Sequence, residues 1–258
     1  MSRKKTEIGI CRICKKEKKL TFEHIPPRVA FNKNTRYYSI PFDEFAKSPN
    51  FIEHKPKGIV HQGGIGYYTL CENCNGFLNK YYVRSFSKWA NIGMDLNSKF
   101  DFNYVQFTAL NQNPFRILKQ IISMFISMNE PWFTEEYFEL LDFIKNPELK
   151  TLPDKYKIYH YLNNEGQIRN LSWTATNTHG IICELTFPPF GYVLNIDDNS
   201  EINHLTEISG WKNYTDERTH SFDIGLYKYP TYLPIPLDYR TKGEIEKKYD
   251  EHNKKASR

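Results

Sequence analysis

The stretch Leu70-Cys71-Glu72-Asn73-Cys74-Asn75-Gly76-Phe77-Leu78-Asn79-Lys80-Tyr81-Tyr82, taken with Cys11-Arg12-Ile13-Cys14, organises the N-terminal third of this 258-residue chain. Four of the five cysteines fall in these two Cys-x-x-Cys pairs, which are separated by 56 residues. Two such pairs are the usual signature of a tetrahedral Zn2+ site, each pair forming a tight knuckle whose backbone N–H groups support the thiolates. Disulfides would need an oxidising compartment, which nothing in the sequence indicates. A redox Cys-x-x-Cys usually stands alone, and here there are two. Lys15, Lys16, Lys18 and Lys19 flank the first knuckle, where their charge favours thiolates. Cys183, within Ile181-Ile182-Cys183, reads as a buried core thiol.

Working outward, Thr21-Phe22-Glu23-His24-Ile25-Pro26-Pro27 follows the first knuckle, and Asn75 directly follows the second. Closing a four-sulfur site therefore brings Glu23, His24 and Asn75 near one another. A carboxylate and an amide oxygen are hard ligands suited to Mg2+ or Mn2+, which keep several waters and take further ligands from a phosphate. An imidazole of ordinary pKa is mostly neutral at physiological pH and can take a proton from water. Arg28, four residues after His24, and Lys80 on the following helix are candidate phosphate clamps, or else solvated surface cations. His61 is a candidate phosphate contact or a structural strand histidine.

In the elements CRIC, EHIPP and LCENCN, over about residues 8 to 90, the sequence resembles the HNH (ββα-metal) endonucleases of the zinc-stapled branch. Position by position, the resemblance implies that Glu23 and Asn75 ligate a catalytic Mg2+ or Mn2+ and that His24 is the general base. It also implies structural zinc on Cys11, Cys14, Cys71 and Cys74, and in some members a further ligand at Asn79. The implied reaction is hydrolysis of a phosphodiester in DNA, with RNA left open. Such a site cuts one strand, so a double-strand break calls for two copies, two events or a partner protein. The whole arrangement also resembles stand-alone bacterial HNH proteins associated with mobile elements and antiphage defence. The alternative is a zinc-stabilised nucleic-acid-binding or regulatory protein that does not cleave.

One departure is visible. Many members carry an Asn about five residues before the second knuckle, where it orients the base; this chain has Gly66. The expectation is that a backbone carbonyl, or a side chain such as Gln62, orients His24 instead. The segment Ile59 to Leu70 reads as a hairpin turning at Gly63-Gly64.

Charge agrees with a polyanionic partner for the N-terminal part. Residues 1 to 100 hold 18 Lys and Arg against 8 Asp and Glu, whereas the rest of the chain holds 17 against 22. A composition of 40% hydrophobic and 16% aromatic residues is enough to build a core. The longest apolar run, Ile121 to Met128, is far too short to cross a bilayer. MSRKKTEIGI lacks the apolar segment of a signal peptide, so a cytoplasmic protein is expected.

The second half changes character. A helix is expected from Gly76 to about Leu96, and a second, opened by Asn113-Pro114, is apolar on nearly every side from Phe115 to Met128. A third is expected from about Thr134 to Ile144, capped by Thr134. Strands are expected over Lys155 to Leu162, Gln167 to Thr176, Gly180 to Phe187 and Tyr192 to Ile196, forming an antiparallel meander. Trp173, Tyr192 and Tyr227 are either core or base-stacking residues. The predicted fold is α+β: a zinc-stapled ββα-metal module over 1-97, an α+β accessory domain over 98-240 with helices and an antiparallel sheet, and a charged tail over 241-258.

Overall fold

The computed structural model describes residues 7–33, 35–39, 59–99, 103–163, 168–176, 179–197, 202, 204–214 and 218–229. The expected tail and the middle of the segment between residues 39 and 59 lie outside them. Near the N-terminus, β1 (Glu7–Ile10), β2 (Glu17–His24) and β5 (Gly66–Cys71) form an antiparallel sheet in the order β1-β2-β5. Helix α1 (Glu72–Leu78) starts at the residue after β5 and runs through a π-helical turn, Asn79–Val83, into α2 (Arg84–Lys99). The expected helix is therefore present, and it begins four residues earlier than Gly76 because Cys71 serves as its N-cap.

The expected hairpin over 59–70 does not form. Gly63 and Gly64 do turn, at φ 107° and 95°. The strands on either side pair elsewhere: β4 (Ile59–His61) with β3 (Tyr37–Ser39), and β5 with β2.

The large sheet holds β6 (Tyr104–Gln112), β7 (Tyr156–Asn163), β8 (Arg169–Thr176), β9 (Gly180–Phe187), β10 (Phe190–Ile196) and β12 (His220–Tyr229) in the order β6-β12-β7-β10-β9-β8, with the two-residue β11 (Thr206–Glu207) also on β7. The expected strands appear as β7, β8, β9 and β10. Only β8-β9-β10 is a meander, because β7 pairs with β10 instead of β8. Two strands were not expected: β6 and β12, which pair with each other antiparallel. Strand β12 also joins β7 in parallel through Lys228 and Tyr229, so the sheet is mixed.

Helix α3 (Pro114–Met128) starts as its sequence predicts, with the Asn113 side chain accepting from the Arg116 N–H and Pro114 in the first turn. Nearly every residue is buried. Even Lys119 is fully buried, because its ammonium donates to the carbonyls of Phe143, Asn146 and Leu149 at 2.5–2.9 Å. Those carbonyls lie at and beyond the end of α5 (Phe138–Lys145), where a cation complements the helix dipole. The expected single helix over 134–144 is broken at Tyr137 (φ −109°, ψ 55°) into α4 (Phe133–Glu136) and α5. Thr134 lies inside the first piece and does not cap it; its hydroxyl bonds the Pro131 carbonyl.

One continuous hydrophobic cluster runs from Cys11 to Leu226. At its centre Trp89 of α2 stacks on Phe190 at 5.3 Å and meets Trp211 edge-on at 5.5 Å. The Trp89 indole N–H donates to His160 Nε2 at 3.2 Å, and His160 Nδ1 donates to the Gly191 carbonyl at 3.1 Å. This pair of bonds fixes the neutral tautomer, and burial among Trp89, Phe190, Tyr192 and Trp211 pushes the His160 pKa down to about 3. The unfolded chain takes up a proton near pH 6.5 and the folded one does not until about 3. His160 thus contributes stability that is complete above pH 6.5 and is lost as pH falls toward 3, by about 1.4 kcal/mol per unit. Urea midpoints at pH 7 and pH 5 check this: the drop on acidification is expected to shrink in His160→Gln, and an equal drop in both proteins would remove His160 as its source.

Among the described residues, no helix is long and apolar enough to cross a membrane. Cys183 is fully buried as expected, as is Tyr192, while Trp173 is half-buried against the core. Tyr227 is exposed and packs on Tyr104.

Candidate metal centre and adjoining site

Cys11 and Cys14 lie in the turn between β1 and β2, which closes through the Cys11 N–H to the Lys16 carbonyl and the Lys15 N–H to the Cys11 carbonyl. Cys71 ends β5 and Cys74 lies in the first turn of α1. Pairing of β2 with β5 sets Leu20 opposite Cys71, which carries the first knuckle to the second. All four sulfurs lie within 4.8 Å of one another, and Cys14 Sγ is 3.9 Å from Cys71 Sγ. Tetrahedral zinc with Zn–S bonds near 2.3 Å separates its sulfurs by about 3.8 Å, so the cluster has the size and chemistry to hold a zinc ion. All five cysteines are free thiols.

The cluster already favours a thiolate. A hydrogen bond from the Cys74 thiol and backbone N–H groups, including that of Cys71 at 3.3 Å, hold the Cys11 pKa down to about 4. Cys74 is pushed up by the same partner, since its proton is the one being shared. The lysines contribute less than their positions in the sequence imply. Lys15 donates to the Pro131 carbonyl at 2.7 Å, and Arg12 binds the Asn129 carbonyl and Glu130. These two cations tie the knuckle to the loop that follows α3.

Asn75, on α1, donates its amide to Thr21 Oγ1 at 3.1 Å. The cysteine closure thus brings Asn75 onto β2, two residues from Glu23, although more than fifty residues intervene in sequence. Glu23 is only 6% exposed, has no hydrogen-bond or ion-pair partner among the described residues, and has its pKa pushed up to about 8 by burial. A buried carboxylate without a partner is costly, so the group holds its proton at neutral pH unless a cation displaces it. Its carboxylate oxygens are hard donors of the kind a divalent ion takes.

His24, the last residue of β2, donates from Nε2 to the Gly63 carbonyl at 3.1 Å, so of the two expected orienting groups, a backbone carbonyl or a side chain such as Gln62, it is the carbonyl that holds it. A carbonyl only accepts, so the proton of the neutral ring sits on Nε2 and Nδ1 keeps its lone pair. The His24 ring meets Phe22 edge-on at 5.0 Å, the i, i+2 relation of one strand face. Strand alternation sends Glu23 to the other face, and no hydrogen bond links Glu23, His24 and Asn75 directly.

The turn that holds His24 depends on a residue that no sequence motif marks. Asn32 is fully buried and makes three bonds: its amide donates to the Pro26 and Ile65 carbonyls at 2.7 Å, and its carbonyl accepts from the Ile65 N–H at 2.8 Å. It therefore staples the chain after His24 to the chain after Gly63. Gly64 is pressed between the two: a Cβ there would run into the Asn32 carbonyl and lie 2.8 Å from His24 Cδ2. Gly66 is equally constrained, since a side chain there would strike the Glu23 carbonyl.

The remaining candidates lie further out. Arg28 is exposed in the turn after Pro27. Asn79 and Lys80 are exposed at the start of the π turn, with Lys80 Nζ 5.0 Å from the Tyr81 ring centroid. His61 ends β4, opposite Tyr37, in the separate two-stranded pairing. Comparison with protein-family models, with curated proteins and with solved structures returned no match to this chain.

Proposed function

We propose that the chain is a metal-dependent phosphodiester hydrolase of the HNH (ββα-metal) type, acting on DNA. The observation that carries this reading is Glu23, only 6% exposed and without a partner among the described residues, two positions along β2 from Thr21, which the Asn75 amide bonds. The order β2, β5, α1, with four cysteines at the base, matches the strand-strand-helix unit that the sequence resemblance implies.

Glu23 and Asn75 would hold Mg2+ or Mn2+, which supplies charge stabilisation at the phosphoryl and leaving oxygens when bound. His24 acts from the end of β2, with Nε2 fixed on the Gly63 carbonyl and Nδ1 free to take a proton from water. The Asn32 staple fixes the turn that carries the Gly63 carbonyl, and so restrains the His24 ring. Arg28 and Lys80 supply positive charge for the flanking phosphates.

The test is nicking of supercoiled plasmid by purified protein with Mg2+ or Mn2+. His24→Ala is expected to lower the rate by about a hundredfold or more at unchanged zinc content. Cleavage undiminished by that substitution would remove the assigned base. No cleavage of duplex, single-stranded DNA or RNA with either ion would favour a zinc-stabilised binding protein.

A further inference from the structure

Resting on that reading, we propose that the strand presented to His24 is unpaired, and that its bases stack on Phe22 and Phe31. Phe22, in contact with the His24 ring, is 37% exposed; Val29 and Phe31, in the loop after the cis Ile25–Pro26 bond, are 60% and 38% exposed. Phe22 is carried by β2, and Val29 and Phe31 are held out by a loop that is anchored underneath. Asn32 is bonded on three sides, the Ser87 hydroxyl donates to the Val29 carbonyl at 3.4 Å, and the Asn32 carbonyl packs on Gly64 beside His24. Phe31 adopts a left-handed backbone, φ 68°, which is rare for a bulky residue and persists where its surroundings impose it.

The charges in the same loop indicate which ligand fits. Arg28 and Lys33 are exposed, lack a partner among the described residues, and flank the apolar pair Val29 and Phe31. Apolar faces set between cations complement a chain of phosphates whose bases are free to turn outward. A duplex keeps its base faces inside the stack, so these rings could reach them only by unstacking a step, at a cost of about a few kcal/mol. Ordering cost is small because the rings are already positioned.

The experiment measures binding apart from cleavage. His24→Ala protein without divalent ion is titrated, by fluorescence anisotropy, into a short labelled DNA strand, the same sequence as RNA, and the corresponding DNA duplex. The single strand is expected to bind at least about tenfold tighter than the duplex, and the DNA and RNA arms identify which sugar is preferred. In the same background, Phe31→Asn, which tolerates the left-handed backbone, and Phe22→Leu are each expected to weaken single-strand binding by about 5- to 100-fold, leaving duplex binding unchanged. Equal or tighter duplex binding, or variants that bind single strands like their parent while retaining zinc and thermal midpoint, would overturn the proposal. A single-strand preference in a protein that cuts nothing would sink the nuclease reading alone. Duplex cleavage without that preference would sink this proposal alone.

Discussion

Cys74→Ser protein is expected to lose its metal and, with it, the order of the N-terminal sheet. The four sulfurs tie the turn between β1 and β2 to the junction of β5 and α1, adding to the β2–β5 pairing that sets Asn75 against Thr21. Structural zinc in small domains is worth on the order of 10 kcal/mol, comparable to the whole stability of an ordinary domain, about 5–15 kcal/mol. Removing one thiolate from four therefore takes away a large share of the margin. Metal analysis should fall from one zinc per chain to well below one. Limited proteolysis should then cut within β1, β2 and β5 under conditions that leave the parent intact, and prolonged chelation of the parent should give the same pattern. A serine variant that keeps a full zinc and an unchanged thermal midpoint would mean that the cluster does not hold the fold together.

Glu23→Gln is expected to move activity and stability in opposite directions. Gln preserves the shape of the side chain but removes its charge, so cleavage should fall by about a hundredfold or more and more divalent ion should be needed to reach half the remaining rate. In the absence of divalent ion, the same substitution removes a desolvated carboxylate that has no partner among the described residues, so the thermal midpoint should hold or rise. Turnover against Mg2+ concentration and a thermal melt without added ion read the two effects separately. A variant that melts lower and cuts at the parental rate would make Glu23 a structural residue.

The parts of this architecture legible in the sequence are those written in local chemistry. Paired cysteines point to a shared cluster, Asn113-Pro114 opens a helix, and β-branched and aromatic runs between turn residues mark β7 to β10. Pairings between distant segments were not legible. Strands β6 and β12 lie more than a hundred residues apart and meet along seven register positions, a match that neither segment announces alone. Gly63-Gly64 has the residues of a two-residue hairpin turn, yet Asn32 takes the Ile65 backbone and draws the loop toward residues 24–32. Asn32 itself lies in an unremarkable polar stretch, Asn32-Lys33-Asn34, and only its burial distinguishes it. At the candidate site, the absence of a side chain at Gly66 was legible and left a carbonyl or a side chain such as Gln62 to orient His24; the choice of the Gly63 carbonyl was not legible.

The rod formed by Glu72–Leu78, the π turn and Arg84–Lys99 starts at the cysteine cluster and carries Phe86, Trp89 and Ala90 into the heart of the large sheet. Cutting the chain at residue 97 would leave that indole and its neighbours naked in water, so the N-terminal piece is no portable cassette. Recombination that grafted it onto another protein would have to bring the sheet along.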